Sequence, residues 1–100
     1  MSVMVVSRGK GDPARIEQVA RDNADTFQAI SDRAKAQGCI HHRFYGGEGE
    51  VVVVDEWETP EAFQGFFSSD PDIPGIMAES GIEGQPDVSF YRPLDIDDAF

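Results

Sequence analysis

Two runs suited to strands, Cys39 to Tyr45 and Glu50 to Trp57, stand either side of Gly46-Gly47-Glu48-Gly49. Glycine tolerates the positive φ that tight turns demand, so this segment reads as a β-hairpin in the middle of the chain. Side chains alternate across a strand, so the hairpin sorts its residues into two faces. If Gly47 and Glu48 form the turn, His42 faces Val53, Ile40 faces Asp55 and Phe44 faces Val51. One face then carries Ile40, His42, Phe44, Val51, Val53, Asp55 and Trp57, and the other carries His41, Arg43, Tyr45, Val52, Val54 and Glu56. A slip of one residue between the strands would exchange these sets.

The flanking segments supply the rest of the architecture. Ser2 to Ser7 reads as a strand buried on both faces, followed by a loop at Arg8-Gly9-Lys10-Gly11. Asp12-Pro13 marks a helix start, with an N-cap carboxylate ahead of a proline that has no amide to leave unpaired. Ile16, Val19, Ala20, Phe27, Ile30 and Ala34 then form one apolar stripe of a helix that runs to about Gln37 and stops at Gly38. On its wet side Glu17 precedes Arg21 by four residues, the favourable order for a pair.

After the hairpin, Thr59-Pro60 opens a helix with Phe63, Phe66 and Phe67 on one face, extending to Ser69. Asp70-Pro71 opens another, carrying Ile73, Ile76 and Met77 until Gly81. Asp87 to Arg92 is the last expected strand. Residues 1–93 form the expected single domain, with 94–100 an acidic tail. Two βαβ-like halves with both helical regions on one side of an antiparallel sheet describe an α+β, ferredoxin-like plait, βαββαβ. Its other sheet face is left bare, and a Val-rich bare face predicts pairing with a second copy.

Charge narrows the choice of partners. The chain has eight basic and nineteen acidic residues, and no Lys or Arg lies between Phe44 and Tyr91. Without a basic stripe, neither nucleic acid nor anionic membrane is an expected partner. No run approaches the length of a membrane span, and the apolar start is too short for a secretory signal, so a cytoplasmic location is expected. Cys39 is the only cysteine, which excludes an internal disulfide.

The segment Asp55-Glu56-Trp57-Glu58-Thr59-Pro60-Glu61-Ala62-Phe63 resembles the dimeric α/β-barrel superfamily, in particular its antibiotic-biosynthesis-monooxygenase-like domains. The resemblance extends over the element order from Val3 to Arg92, with the Trp57 segment its distinctive part. It implies two plaits joined into a closed barrel, with a pocket in each subunit between sheet and helices, and Trp57 on the helix side. Cofactor-independent oxygenation is among the activities it implies. The haem-degrading branch fits poorly, because Pro71 to Gly81 holds no histidine and the first strand no asparagine. No cofactor is expected.

With Trp57 turned to the helices, His42 and Asp55 become diagonal neighbours in the same pocket. A carboxylate beside an imidazole fixes its tautomer and leaves the second ring nitrogen to take a proton. His42 is thus the candidate base and Asp55 the group that orients it; mutual satisfaction of two buried polar groups is the alternative. Trp57, Phe27, Phe44, Phe63 and Phe67, with Phe66, are candidates to line a site for a small apolar or aromatic molecule, or else plain core. His41 and His42 are strand neighbours on opposite faces, so no metal site is expected. The functional expectation is a small-molecule-binding homodimer acting as a cofactor-independent monooxygenase on an aromatic or enolisable substrate. The alternative is a non-catalytic ligand-binding or stress-related dimer, and a structural protein with a filled core is a third reading.

Overall fold

A computed structural model describes residues 2–100; Met1, where the expected domain begins, lies outside the described residues. The chain runs β1 (Val3–Lys10), α1 (Pro13–Asp22), α2 (Ala24–Ala36), β2 (Cys39–Gly47), β3 (Glu50–Trp57), α3 (Pro60–Ser69), α4 (Ile73–Glu79) and β4 (Glu83–Tyr91). The strands form one sheet in the order β2-β3-β1-β4, and every neighbouring pair is antiparallel. This is the α+β, ferredoxin-like arrangement expected from the element pattern.

Both predicted proline-led helix starts are present. The Asp12 carboxylate accepts the Ala14 amide at 3.0 Å, and the Thr59 hydroxyl accepts the Ala62 amide at 3.0 Å. The single long helix expected between Asp12 and Gln37 is instead two, broken at Asn23, whose φ of −126° and ψ of 40° leave the helical region. The Asn23 side-chain amide donates to the Val19 carbonyl at 2.9 Å and to Glu79 on α4 at 2.8 Å. An asparagine that bonds back to the preceding turn competes with helix continuation, and a distant partner fixes it there. The Glu17–Arg21 pair is not formed; Arg21 donates to Gln18 instead.

Strand boundaries also differ from expectation. β1 continues through Arg8, Gly9 and Lys10, a stretch the sequence predicts as loop, because β3 and β4 flank it on both sides there. β4 begins at Glu83 rather than Asp87, with an irregularity opposite Arg8 and Lys10. Only one face of β1 is buried: Val3 and Val5 are enclosed, while Met4 is 46% exposed. The core lies on that inner face, where Val3, Val5 and Trp57 of the sheet meet Ala34, Phe63 and Phe66 of the helices. The outer face presents Met4, Tyr45 and Tyr91, each about half exposed.

The hairpin itself is displaced by one residue. Gly47 pairs with Glu50, so the turn is Glu48-Gly49, and Gly49 supplies the positive φ of 71°. Moving a two-residue turn by one position slides the register by two, which preserves the faces: His42 pairs directly with Asp55 and Phe44 with Val53. Gly46 is needed for another reason. A Cβ there would lie 2.7 Å from Pro13 Cβ, where the start of α1 crosses β2.

Candidate functional site

The inner face of the β2–β3 pair places three polar groups in sequence. Asp55 is buried, 7% exposed, on a central strand. A carboxylate removed from water there requires donors, and it has one for each oxygen. His42 Nδ1 lies 2.7 Å from Asp55 Oδ1, and Trp57 Nε1 donates to Asp55 Oδ2 at 3.1 Å. His42 and Asp55 share a register position, and Trp57 follows two residues along the same face of β3. In the neutral imidazole the Asp55 contact selects the Nδ1–H tautomer, leaving the Nε2 lone pair free to accept a proton. The His42 side chain is 41% exposed, so that nitrogen is within reach of a small molecule.

Aromatic packing fixes the two ends of this chain. Trp57 packs edge-on to Phe63 at 5.7 Å and against Phe66 at 5.4 Å, while Phe63 stacks on Phe67 at 5.6 Å. His42 stands edge-on to Phe44 at 5.0 Å, and Phe44 lies 6.4 Å from Phe27. Between sheet and helices these residues border a cavity of about 500 Å³. All eight residues singled out from the sequence line it: His42, Asp55, Trp57, Phe27, Phe44, Phe63, Phe66 and Phe67. That volume falls within the usual range for a small-molecule site, about 300–1,000 Å³.

One predicted wall residue changes its setting. The sequence places Ile40 opposite Asp55 on the inner face, but the β2–β3 register shifts between Cys39 and His41, leaving Ile40 unpaired and 55% exposed. Cys39 pairs with Trp57 and packs against the core cluster, while Ile40 still borders the cavity. Burial pushes the Cys39 thiol up to about 11, with the Asp55 charge acting in the same direction. It is therefore a neutral thiol at physiological pH and not a nucleophile. Among the described residues no group of His, Cys, Asp and Glu is arranged to hold a metal ion.

Two features of the site escape a reading of the sequence alone. Trp57 is a hydrogen-bond donor to Asp55 as well as an apolar wall; an Asp-x-Trp spacing on one strand is the available signal, since residues two apart share a face. The far wall is formed by Ile73, Ile76 and Met77 of α4. That helix is tied down by charge. Arg33 of α2 meets Asp70 at 2.7 Å and Asp72 at 2.8 Å, and Asp70 accepts the Asp72 and Ile73 amides. Burial alone would raise the Asp70 pKa, but the Arg33 hydrogen bond and charge together with those amides hold it below the ordinary carboxylate value.

No sequence-family model matches the chain. No characterised protein matches it by sequence. Solved structures do match in fold. A conserved protein from Methanosarcina mazei Go1 has a TM-score of 0.65 at 15% identity, covering 94% of each chain. SnoaB from Streptomyces nogalater, described as a cofactor-independent oxygenase, has a TM-score of 0.64 at 17% identity, covering 98% of each chain. A protein described as an antibiotic biosynthesis monooxygenase has a TM-score of 0.63 at 14% identity, covering 92% of this chain and 98% of its own. With its four-stranded antiparallel sheet and helix-covered inner face, the chain has the fold of the antibiotic-biosynthesis-monooxygenase-like domains.

Proposed function

We propose that this protein binds a small aromatic or enolisable molecule between sheet and helices and oxygenates it without a cofactor. The observation that carries this reading is the His42–Asp55–Trp57 chain on the wall of an otherwise apolar cavity. A polar relay with a free ring nitrogen beside aromatic side chains suits proton removal from a flat, weakly acidic substrate. SnoaB, the structural neighbour described as a cofactor-independent oxygenase, supports the same class of chemistry.

The step balances with dioxygen as the sole oxidant. From a methylene carbon flanked by two activating groups, His42 Nε2 takes one proton, and the resulting carbanion passes an electron to dioxygen. The radical pair joins through a new C–O bond, and the imidazolium returns its proton to the peroxide. Loss of the remaining C–H proton and cleavage of the O–O bond then turn the methylene into a carbonyl. One oxygen atom stays in that ketone, and the other leaves as water with both of the original methylene hydrogens. Asp55 stabilises the transient imidazolium, and the Trp57 N–H holds the carboxylate in line as a positioning group.

Pairing of two copies through the bare sheet face belongs to the same reading. Met4, Tyr45 and Tyr91, with half-buried Val6, Val52 and Val54, offer an apolar face that a partner sheet would cover. Sedimentation equilibrium then returns twice the chain mass.

Anthrone, which enolises to an aromatic alcohol, is a suitable probe. Oxygen uptake should match its conversion to anthraquinone mole for mole, and His42→Ala should lower the rate by about 10²–10⁴-fold, the usual worth of a general base. Unchanged turnover in that variant excludes His42 as the base. Anthrone binding with no oxygen uptake above the buffer rate leaves a binding protein without the chemistry.

A further inference from the structure

Helix α2 presents two stripes to the cavity. The first, Phe27, Ile30 and Ala34, is apolar; the second, Gln28, Ser31 and Lys35, is polar and lines the same space. Gln28 is committed to Asp32, to which it donates at 3.0 Å. The Ser31 hydroxyl and the Lys35 ammonium are one turn apart, on the same side of the helix, and neither has a protein hydrogen-bond partner or ion pair among the described residues.

Lys35 is also the only lysine or arginine lining the cavity among the described residues. Four of the other basic groups are engaged, Arg33 by Asp70 and Asp72, Arg15 by the Glu79 carbonyl, Arg21 by Gln18 and Arg43 over Tyr45, while Arg8, Lys10 and Arg92 do not line the cavity. The Lys35 charge reaches the inner wall, where it acts on the Cys39 thiol in opposition to burial. A free cation in a chain with nineteen acidic residues is a distinctive thing to place at the edge of an apolar cavity.

We propose that the ligand is an anionic aromatic acid whose carboxylate is read by Lys35 and Ser31. This inference rests on the aromatic-ligand reading above and names the class of molecule within it. Asp55, the other charged wall residue, repels an acid group, so the carboxylate seats on the α2 side and the ring extends toward His42. One charged contact at the rim and one at the relay fix both the position and the direction of a flat molecule that apolar walls alone would leave free to turn.

The test compares 6-hydroxy-2-naphthoate with 2-naphthol, which share a ring system and a hydroxyl and differ by the carboxylate. Equilibrium dialysis against the intact protein gives the ratio of their Kd values. The wild-type protein should favour the acid by about fivefold at low ionic strength, the scale of a partly exposed charge contact, and less at high ionic strength. Lys35→Met should remove that preference, Lys35→Arg should keep most of it, and Ser31→Ala should reduce it. Equal affinities in the wild-type protein, or a preference that survives Lys35→Met, overturns the inference while leaving aromatic binding in place. Retention of neither compound overturns both. Circular dichroism of each variant separates lost recognition from lost fold.

Discussion

The two walls of the cavity are built on different principles. The sheet-side wall is a packed solid: Trp57 is 1% exposed, Val5 is fully enclosed, and Phe63 and Phe66 close over the indole. The α4 wall contains no fully buried residue and is held at its ends by polar ties, Arg33 to Asp70 and Asp72 at one, Asn23 and Arg15 to Glu79 at the other. Groups that must hold a fixed geometry, His42 and Asp55, stand on the packed wall. The α4 wall is secured instead by a few polar ties, the chief of them to the buried Asp70 carboxylate.

The strongest way to break this contrast is to remove the centre of the packed wall. Trp57→Ala should cost about 3–5 kcal/mol in denaturant unfolding, the range for deleting a large enclosed aromatic. Trp57→Phe keeps most of the packing but takes away the donor to Asp55, and should cost about 1–3 kcal/mol as a carboxylate oxygen loses its partner. If the two variants were equally stable, the N–H and not the packing would dominate that wall.

The polar wall should respond to pH instead. Asp70 is held below its ordinary pKa in the fold, so the stability it contributes is complete above the ordinary value of 3.8 and drains away as the pH falls through the lower folded value. Unfolding free energies should therefore fall more steeply below that pH in the wild-type protein than in Asp70→Asn. Parallel curves would show that the tie carries no stability. The smallest effect belongs to Ser80, just after α4, whose enclosed hydroxyl has no partner among the described residues. Ser80→Ala should leave stability unchanged or raise it by about 1 kcal/mol, read from the same curves.

The packed wall is largely legible in the sequence and the polar wall is not. A period of two assigns His42, Phe44, Asp55 and Trp57 to one face whichever of the two-residue turns forms, because sliding a turn by one residue moves the register by two. That is why the site is the same for an expected turn at Gly47-Glu48 and for the Glu48-Gly49 turn that the chain uses. The bulge at Ile40 carries no local mark: neither Ile40 nor its neighbours are residues that favour irregular backbone, so Cys39 comes to pair with Trp57 without warning, while Ile40 still borders the cavity. The break at Asn23 depends on Glu79, which is far away in sequence, and the tie of Arg33 to Asp70 and Asp72 likewise needs the fold before it exists. Periodicity reports which face a residue occupies; it does not report which distant polar group will meet it.

The most direct test of the site is the tautomer of His42, read from the ¹⁵N shifts of its ring at a pH where the imidazole is neutral. The register and the Asp55 contact predict a proton on Nδ1 and a bare Nε2, with Asp55→Asn weakening that preference. A neutral ring protonated on Nε2 in the wild-type protein would contradict the geometry on which the proposed chemistry stands.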